Sequence, residues 1–178
     1  EPFHTPPQEE KRPKERELTD GSDKPKNAHP NVVAAVVIMA CNRPDYLVRT
    51  LQSVFAVNPS LAHFPVFVSQ DGLDPGVKAL AQKFHPELGY MQHIETEPPK
   101  MRNKKENIAY YRIAWHYQWA LGQLFDAKGY SRVIILEDDM ALSPDFFSFF
   151  KAMAPLLDAD PSLWCVSSWN DNGQERFV

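Results

Sequence analysis

The stretch that most limits what this chain can fold into is residues 32–40, VVAAVVIMA. Nine consecutive residues without a polar side chain suit a strand covered on both faces, and such strands belong to parallel sheets with helices packed on each side. The run falls well short of the roughly 20 residues that cross a bilayer. The next residues, CNRPDYLVRTLQSVF (41–55), change to helical spacing, with Pro44 in a first turn and Leu47, Leu51, Val54 and Phe55 on one stripe.

The alternation continues. FPVFVSQDG (64–72) reads as a second strand, PGVKALAQKF (75–84) as a second helix and GYMQHIE (89–95) as a short third strand. TEPPKMRNKKEN (96–107) is a long polar loop. IAYYRIAWHYQWALGQLF (108–125) follows as a helix with Ile113, Tyr117, Ala120, Leu121 and Leu124 at helical spacing, closed by Gly129. RVIILED (132–138) is a fourth strand. Ser143 as N-cap, Pro144 at N1 and Asp145 in the first turn open a helix carrying FFSFFKAM, and LWCVSS (163–168) reads as a fifth strand before the turn WNDNG. The order β-α-β-α-β-α-β-α-β implies a doubly wound α/β sandwich, whose ligands sit beyond the carboxyl ends of the strands.

Composition bounds the rest. At 178 residues and 43% hydrophobic the chain suffices for one domain with a sizeable core. A formal charge of −4 offers no basic excess for phosphate backbones, so nucleic acid is not an expected partner. Residues 1–30 hold six of the 16 prolines and almost no large apolar side chains, which predicts a flexible stem or linker ahead of a domain at 31–178. The chain opens on Glu1 rather than Met, which suggests an excerpt or a processed product from which a targeting segment could have been lost. Cys41 and Cys165 show no zinc-site spacing.

Polar groups cluster where the strands end: Cys41-Asn42-Arg43, Ser69-Gln70-Asp71, Glu137-Asp138-Asp139 and Trp169-Asn170-Asp171. By the period of two, Glu137 and Asp139 point to one side of the fourth strand and Asp138 to the other. Three adjacent carboxylates repel unless a cation or donors compensate, and Mg²⁺ or Mn²⁺ is the natural partner, completed by diphosphate oxygens; the alternative is an acidic turn facing water. No GxGxxG or P-loop occurs, which leaves a nucleotide-sugar as the better-fitting diphosphate.

Asp71 could accept from a nucleobase N–H or a ribose hydroxyl, or serve only as the turn residue of an Asp-Gly pair. Arg43 could donate to a base carbonyl or phosphate, or be a solvated surface side chain. His116 and the aromatic set Tyr110, Tyr111, Trp115, Tyr117 and Trp119 read as core by default. Lys100, Arg102, Lys104 and Lys105 could close over phosphates or merely decorate a surface loop.

The blocks VVIMACNRPDYLVRTLQSV, FVSQDG, YYRIAWHYQWALGQLF, VIILEDDMALSPDFFSFF and SLWCVSSWNDNGQ, in this order, closely resemble glycosyltransferase family 13, the N-acetylglucosaminyltransferase I family, over about residues 31–178. CNRPDY, SQDG and YMQH look more like plant or algal members than animal ones. The resemblance implies a GT-A fold that binds UDP-N-acetylglucosamine with Mn²⁺. The implied reaction transfers the sugar, with inversion, to the 2-hydroxyl of a mannose on a high-mannose N-glycan, at the lumenal face of the Golgi membrane. On the family pattern Asp139 is the metal ligand, Glu137 and Asp138 meet the donor's sugar and ribose, and Arg43, Asp71 and His116 surround the uracil.

Two departures bear on this. Gly72 stands where animal members have a cysteine, so Cys41 is expected unpaired, and Cys165 matches a cysteine whose partner is expected beyond Val178. The family's catalytic aspartate lies in a DDW-type block absent here, so the base is also expected beyond Val178, and this stretch alone, if it folds stably, is expected to bind nucleotide weakly and not to turn over. Rival readings are the transferase that acts on O-linked mannose, a non-catalytic sugar-nucleotide or glycan-binding module, and a domain whose acidic cluster is structural and which binds a protein partner.

Overall fold

The computed structural model describes residues 28–103 and 105–169. Most of the expected stem, Lys104, and residues 170–178 with Asp171 lie outside them. The elements run β1 (Ala35–Ala40), α1 (Pro44–Val57), β2 (Val66–Asp71), α2 (Pro75–Phe84), β3 (Gly89–His93), α3 (Ile108–Gly122) with a π-helical turn Gln123–Ala127, β4 (Val133–Glu137) and α4 (Phe146–Ala159).

Four strands make one parallel sheet in the order β3-β2-β1-β4. Every residue of β1 is buried, as its two-faced apolar sequence requires. On one face Val36, Ile38, Val66, Val68, Ile134 and Leu136 pack under Leu47, Leu51 and Val54 of α1, Val77 and Ala81 of α2, and Phe146 and Phe147 of α4. On the other, Ala35, Val37, Met39 and Met91 meet Ala120 of α3 and Leu124 of its π turn, with Tyr130 from the following loop. Helices on both faces make the fold doubly wound, consistent with a Rossmann-like glycosyltransferase fold.

Local signals explain the helix starts. Pro44 and Pro75 sit in the first turns of α1 and α2, where a missing N–H costs nothing. Asp74 caps α2 by accepting from the Val77 N–H at 2.9 Å, and Asn107 caps α3 by accepting from the Ala109 N–H at 3.0 Å.

Three expectations need correction. LWCVSS forms no strand; Trp164 is 91% exposed, and β4, the edge strand on that side, pairs with β1 and among the described residues has no strand on its outer side. Strand propensity without a ladder to join leaves a segment irregular. α4 begins at Phe146 rather than at Pro144. Asp145 occupies its N-cap without a side-chain cap bond, while the Ser143 hydroxyl donates to Asp145 Oδ1 at 2.6 Å. Finally, the aromatic set of α3 is core only in part: half-buried Tyr117 and Trp119 pack against the sheet-side cluster, Tyr111 is half-buried, whereas Tyr110 is 71% exposed, Trp115 is exposed, and Ile113 of the predicted stripe is exposed too. α3 lays only His116 and Ala120 fully onto the sheet.

Candidate functional site

Register puts the strand ends nearly level. Asp71 pairs with His93, Gln70 with Ala40 and Met39 with Glu137, so the carboxyl edge presents His93, Asp71, the β1–α1 turn with Arg43, and the acidic turn 137–139 in one row. The chain runs outward from β1 through β2 to β3, then returns to place β4 on the other side of β1. The edge between β1 and β4 is thus the point where strand order reverses, which is where open α/β sheets bind ligands.

Arg43 and the acidic turn meet there. Arg43 Nη2 donates to Asp138 Oδ1, and Nη1 donates to Asp139 Oδ2 at 3.2 Å. α1 also holds the loop itself: the Thr50 hydroxyl donates to the Asp138 carbonyl at 2.7 Å, and Ser53 Oγ accepts from the Leu142 N–H at 2.8 Å. Asp138 is buried, and that burial pushes its carboxyl up against the opposing pull of Arg43. The Asp139 side chain stays 41% exposed.

Glu137, the last residue of β4, turns to the opposite face and accepts from the Tyr117 hydroxyl of α3. Burial first, and that carboxylate second, push the Tyr117 phenol upward. The strict alternation expected for the trio therefore stops at Glu137. Beyond it the chain turns, and Asp139 falls on the same guanidinium as Asp138 rather than beside Glu137. Repulsion among the three carboxylates is relieved by Arg43 and Tyr117, both supplied by this chain.

At the other end of the row, His93 Nδ1 lies 2.7 Å from Asp71 Oδ1, and His116 Nε2 lies 2.8 Å from Ser69 Oγ. The two imidazoles stack at 5.7 Å with planes 13° apart. His116 is buried, and its pKa is lowered to about 4; desolvation is the main cause, Asp71 opposes it and His93 adds to it. Gly72 follows Asp71 with φ of 84°, the left-handed region glycine adopts freely, and its N–H donates to the His93 carbonyl at 2.9 Å.

Cys41 lies between the two halves. Burial, then Asp71, Asp138 and Asp74, raise its thiol pKa, while Arg43 lowers it. Cys41 and Cys165 are both free and exposed.

The structure thus brings Arg43, Asp138 and Asp139 into contact, joins Asp71 to His116 through His93, and sets Glu137 on the α3 side. Sequence reasoning missed His93, Ser69, Thr50 and Tyr117 as partners. His93 ends β3 as Asp71 ends β2, which was the available signal. A concavity of about 390 Å³ lies elsewhere, beside the amino ends of β1 and β2, lined by Val33, Phe64, Phe147 and Lys151 among others. It holds none of these groups.

Among the described residues no three His, Cys, Asp or Glu side chains gather as a ready metal cage. Asp139 offers one exposed carboxylate beside a second acid. That donor set suits Mn²⁺ or Mg²⁺, which take one or two carboxylates and fill their remaining positions with phosphate oxygens and water.

Comparison with known proteins agrees with this layout. The model of the GNT-I family matches residues 9–178. An alpha-1,3-mannosyl-glycoprotein 2-beta-N-acetylglucosaminyltransferase of Arabidopsis thaliana is 50% identical over 162 residues, which cover 90% of this chain. The chain spans 35% of that relative's length. A doubly wound sheet with its polar row at the strand ends, matched almost end to end by one family's pattern, has a single assignment: the chain belongs to the GNT-I family.

Proposed function

We propose that this chain is the donor-binding part of an inverting glycosyltransferase that uses UDP-N-acetylglucosamine and Mn²⁺. The whole enzyme moves the sugar to the 2-hydroxyl of an α-1,3-linked mannose on a high-mannose N-glycan. The supporting observation is that Arg43, Asp138 and Asp139 converge at the switch between β1 and β4, with Asp71 and His116 on the same edge, in a member of the GNT-I family. The Arabidopsis relative, an alpha-1,3-mannosyl-glycoprotein 2-beta-N-acetylglucosaminyltransferase by name, supports the mannosyl acceptor. A Golgi location on the lumenal face, with membrane attachment through a segment ahead of this chain, rests on family resemblance; no helix among the described residues is long and apolar enough to cross a membrane.

The residues divide the work by chemistry. Asp139 would hold the cation, which as a Lewis acid favours departure of the nucleoside diphosphate. Arg43 neutralises Asp138 and Asp139 before donor arrives and is a cation placed to meet a phosphate or base carbonyl once it does. Asp71 accepts from a nucleobase N–H or ribose hydroxyl. Neutral His116, its Nε2 tied to Ser69, contributes a polar ring without a competing charge. By the family pattern Glu137 and Asp138 are assigned to the donor's sugar and ribose, and to serve there they would exchange their present partners, Tyr117 and Arg43, for donor hydroxyls. The base that takes the acceptor's proton is assigned to none of these residues.

Calorimetric titration of UDP with and without Mn²⁺, on the 178-residue chain and on Asp139→Ala, tests the reading. Mn²⁺ should tighten UDP binding to the unmutated chain, and Asp139→Ala should lose about tenfold or more of that affinity, as loss of a metal-site group does. Equal binding by the variant would show the metal assignment to be wrong.

A further inference from the structure

We propose that His93 is a positioning residue of the donor site, holding the Asp71 carboxylate in the orientation in which it accepts from the nucleobase. The inference rests on the donor-site reading of Asp71 and adds a residue to it. An ionised carboxylate only accepts hydrogen bonds, so the 2.7 Å contact makes Nδ1 of His93 the donor to Asp71 Oδ1. Among the described residues no donor meets Asp71 Oδ2, and the Asp71 side chain is 24% exposed. One oxygen is therefore fixed and the other is left for a ligand.

The imidazole cannot easily swing away. It stacks on His116 at 5.7 Å and lies 5.3 Å from the Trp119 ring, and its side chain is only 13% exposed. Its backbone is anchored separately, because the His93 carbonyl accepts from the Gly72 N–H next to Asp71. A histidine orienting a group that touches ligand is the usual division of labour in a prearranged site, where supporting hydrogen bonds lock the contacting side chain. The backbone anchor also makes the role separable from folding, since replacing the side chain leaves the β2–β3 ladder intact.

The test measures UDP and CDP binding in the presence of Mn²⁺ for the unmutated chain, His93→Leu, His93→Gln, Asp71→Asn and the double variant His93→Leu/Asp71→Asn, with thermal melts of each. Uracil offers an N3–H donor and cytosine does not, so a well-aimed Asp71 favours UDP. His93→Leu should weaken UDP by about tenfold and narrow the UDP-to-CDP preference, a change that lost packing alone would not produce. His93→Gln, which retains an N–H donor, should recover part of both. In the Asp71→Asn background His93→Leu should cost little more, because residues acting through one group are not additive.

Unchanged UDP binding in His93→Leu alongside a clear loss in Asp71→Asn would overturn the role of His93 and leave the donor site standing. Unchanged binding in Asp71→Asn, or no UDP binding by the unmutated chain, would overturn the donor-site reading and the role of His93 with it. Should His93→Leu fail to melt cooperatively, His93→Phe, which keeps a ring to stack on His116 and has no N–H donor, takes its place. A narrowed UDP-to-CDP preference in His93→Phe supports the role, and a preference equal to that of the unmutated chain contradicts it.

Discussion

His116 shows how one buried side chain ties the site to stability. Its pKa in the fold is about 4, against about 6.5 for an unfolded histidine, so the unfolded chain binds more protons between those values. The stability this represents is complete above pH 6.5 and is lost as pH falls through 4. By linkage, lowering pH from 7.5 to 5 should cost roughly 2 kcal/mol through this group. Asp71 and His93, the charged and titratable neighbours facing it, partly offset each other. Urea unfolding at both pH values should show His116→Gln losing less stability than the unmutated chain by about that amount; equal losses would mean that His116 is already charged or freely solvated in the fold. The residue type alone did not carry this. In the sequence His116 reads as an ordinary core histidine, and its burial agrees, but the Ser69 contact depends on α3 lying across β2, which local spacing does not state.

At the scale of elements, strands were the most legible feature because two-faced apolar runs such as β1 have no comfortable alternative. α1 and α2 were legible from proline at their starts and one apolar stripe each. α3 was legible as a helix but not in its orientation: apolar and aromatic residues surround it, and only the sheet decides which of them are covered. The fifth strand failed for the opposite reason, since its sequence suits a ladder but the fold supplies none there. The acidic turn was visible as a cluster, while its partners were not, because Arg43 lies 95 residues before Asp138 and meets it only once β1 and β4 pair. β3 carries a constraint its sequence hides equally well. A Cβ on Gly89 would collide with the Phe67 ring on the neighbouring strand, so glycine is what leaves room for that ring against β3. Gly89→Ala should lower unfolding stability by roughly 1–3 kcal/mol, the usual cost of overpacking. Combined with Phe67→Ala the two losses should fall short of their sum, and full additivity in urea titrations would place the ring elsewhere.

For the whole molecule, the governing fact is that the two sides of the site come from opposite flanks of β1, and among the described residues Arg43 is the cation in contact with the acidic turn. Arg43 already satisfies Asp138 and Asp139, and no set of three ligating side chains is gathered nearby among the described residues. A divalent ion alone would therefore compete with a guanidinium for one well-exposed carboxylate, while a diphosphate alone would meet the negative turn with Arg43 as the contacting cation among the described residues. On the proposed donor-site reading the two would complement each other: Asp139 would hold the ion, the ion would supply charge neutralisation for the diphosphate, and Arg43 would be left to meet the anion. On that reading the donor site would form cooperatively, and stability should report it. Ligand at about 100 times its Kd stabilises a fold by about 2.7 kcal/mol, which for a chain of this size is about 5–10 °C in Tm. UDP with Mn²⁺ should produce a shift of that order, and either one alone much less. Asp139→Ala should reduce the combined shift to roughly the sum of the separate ones. If Mn²⁺ by itself raised Tm as far as the pair does, the ion would have a complete protein cage and the diphosphate would not be its partner.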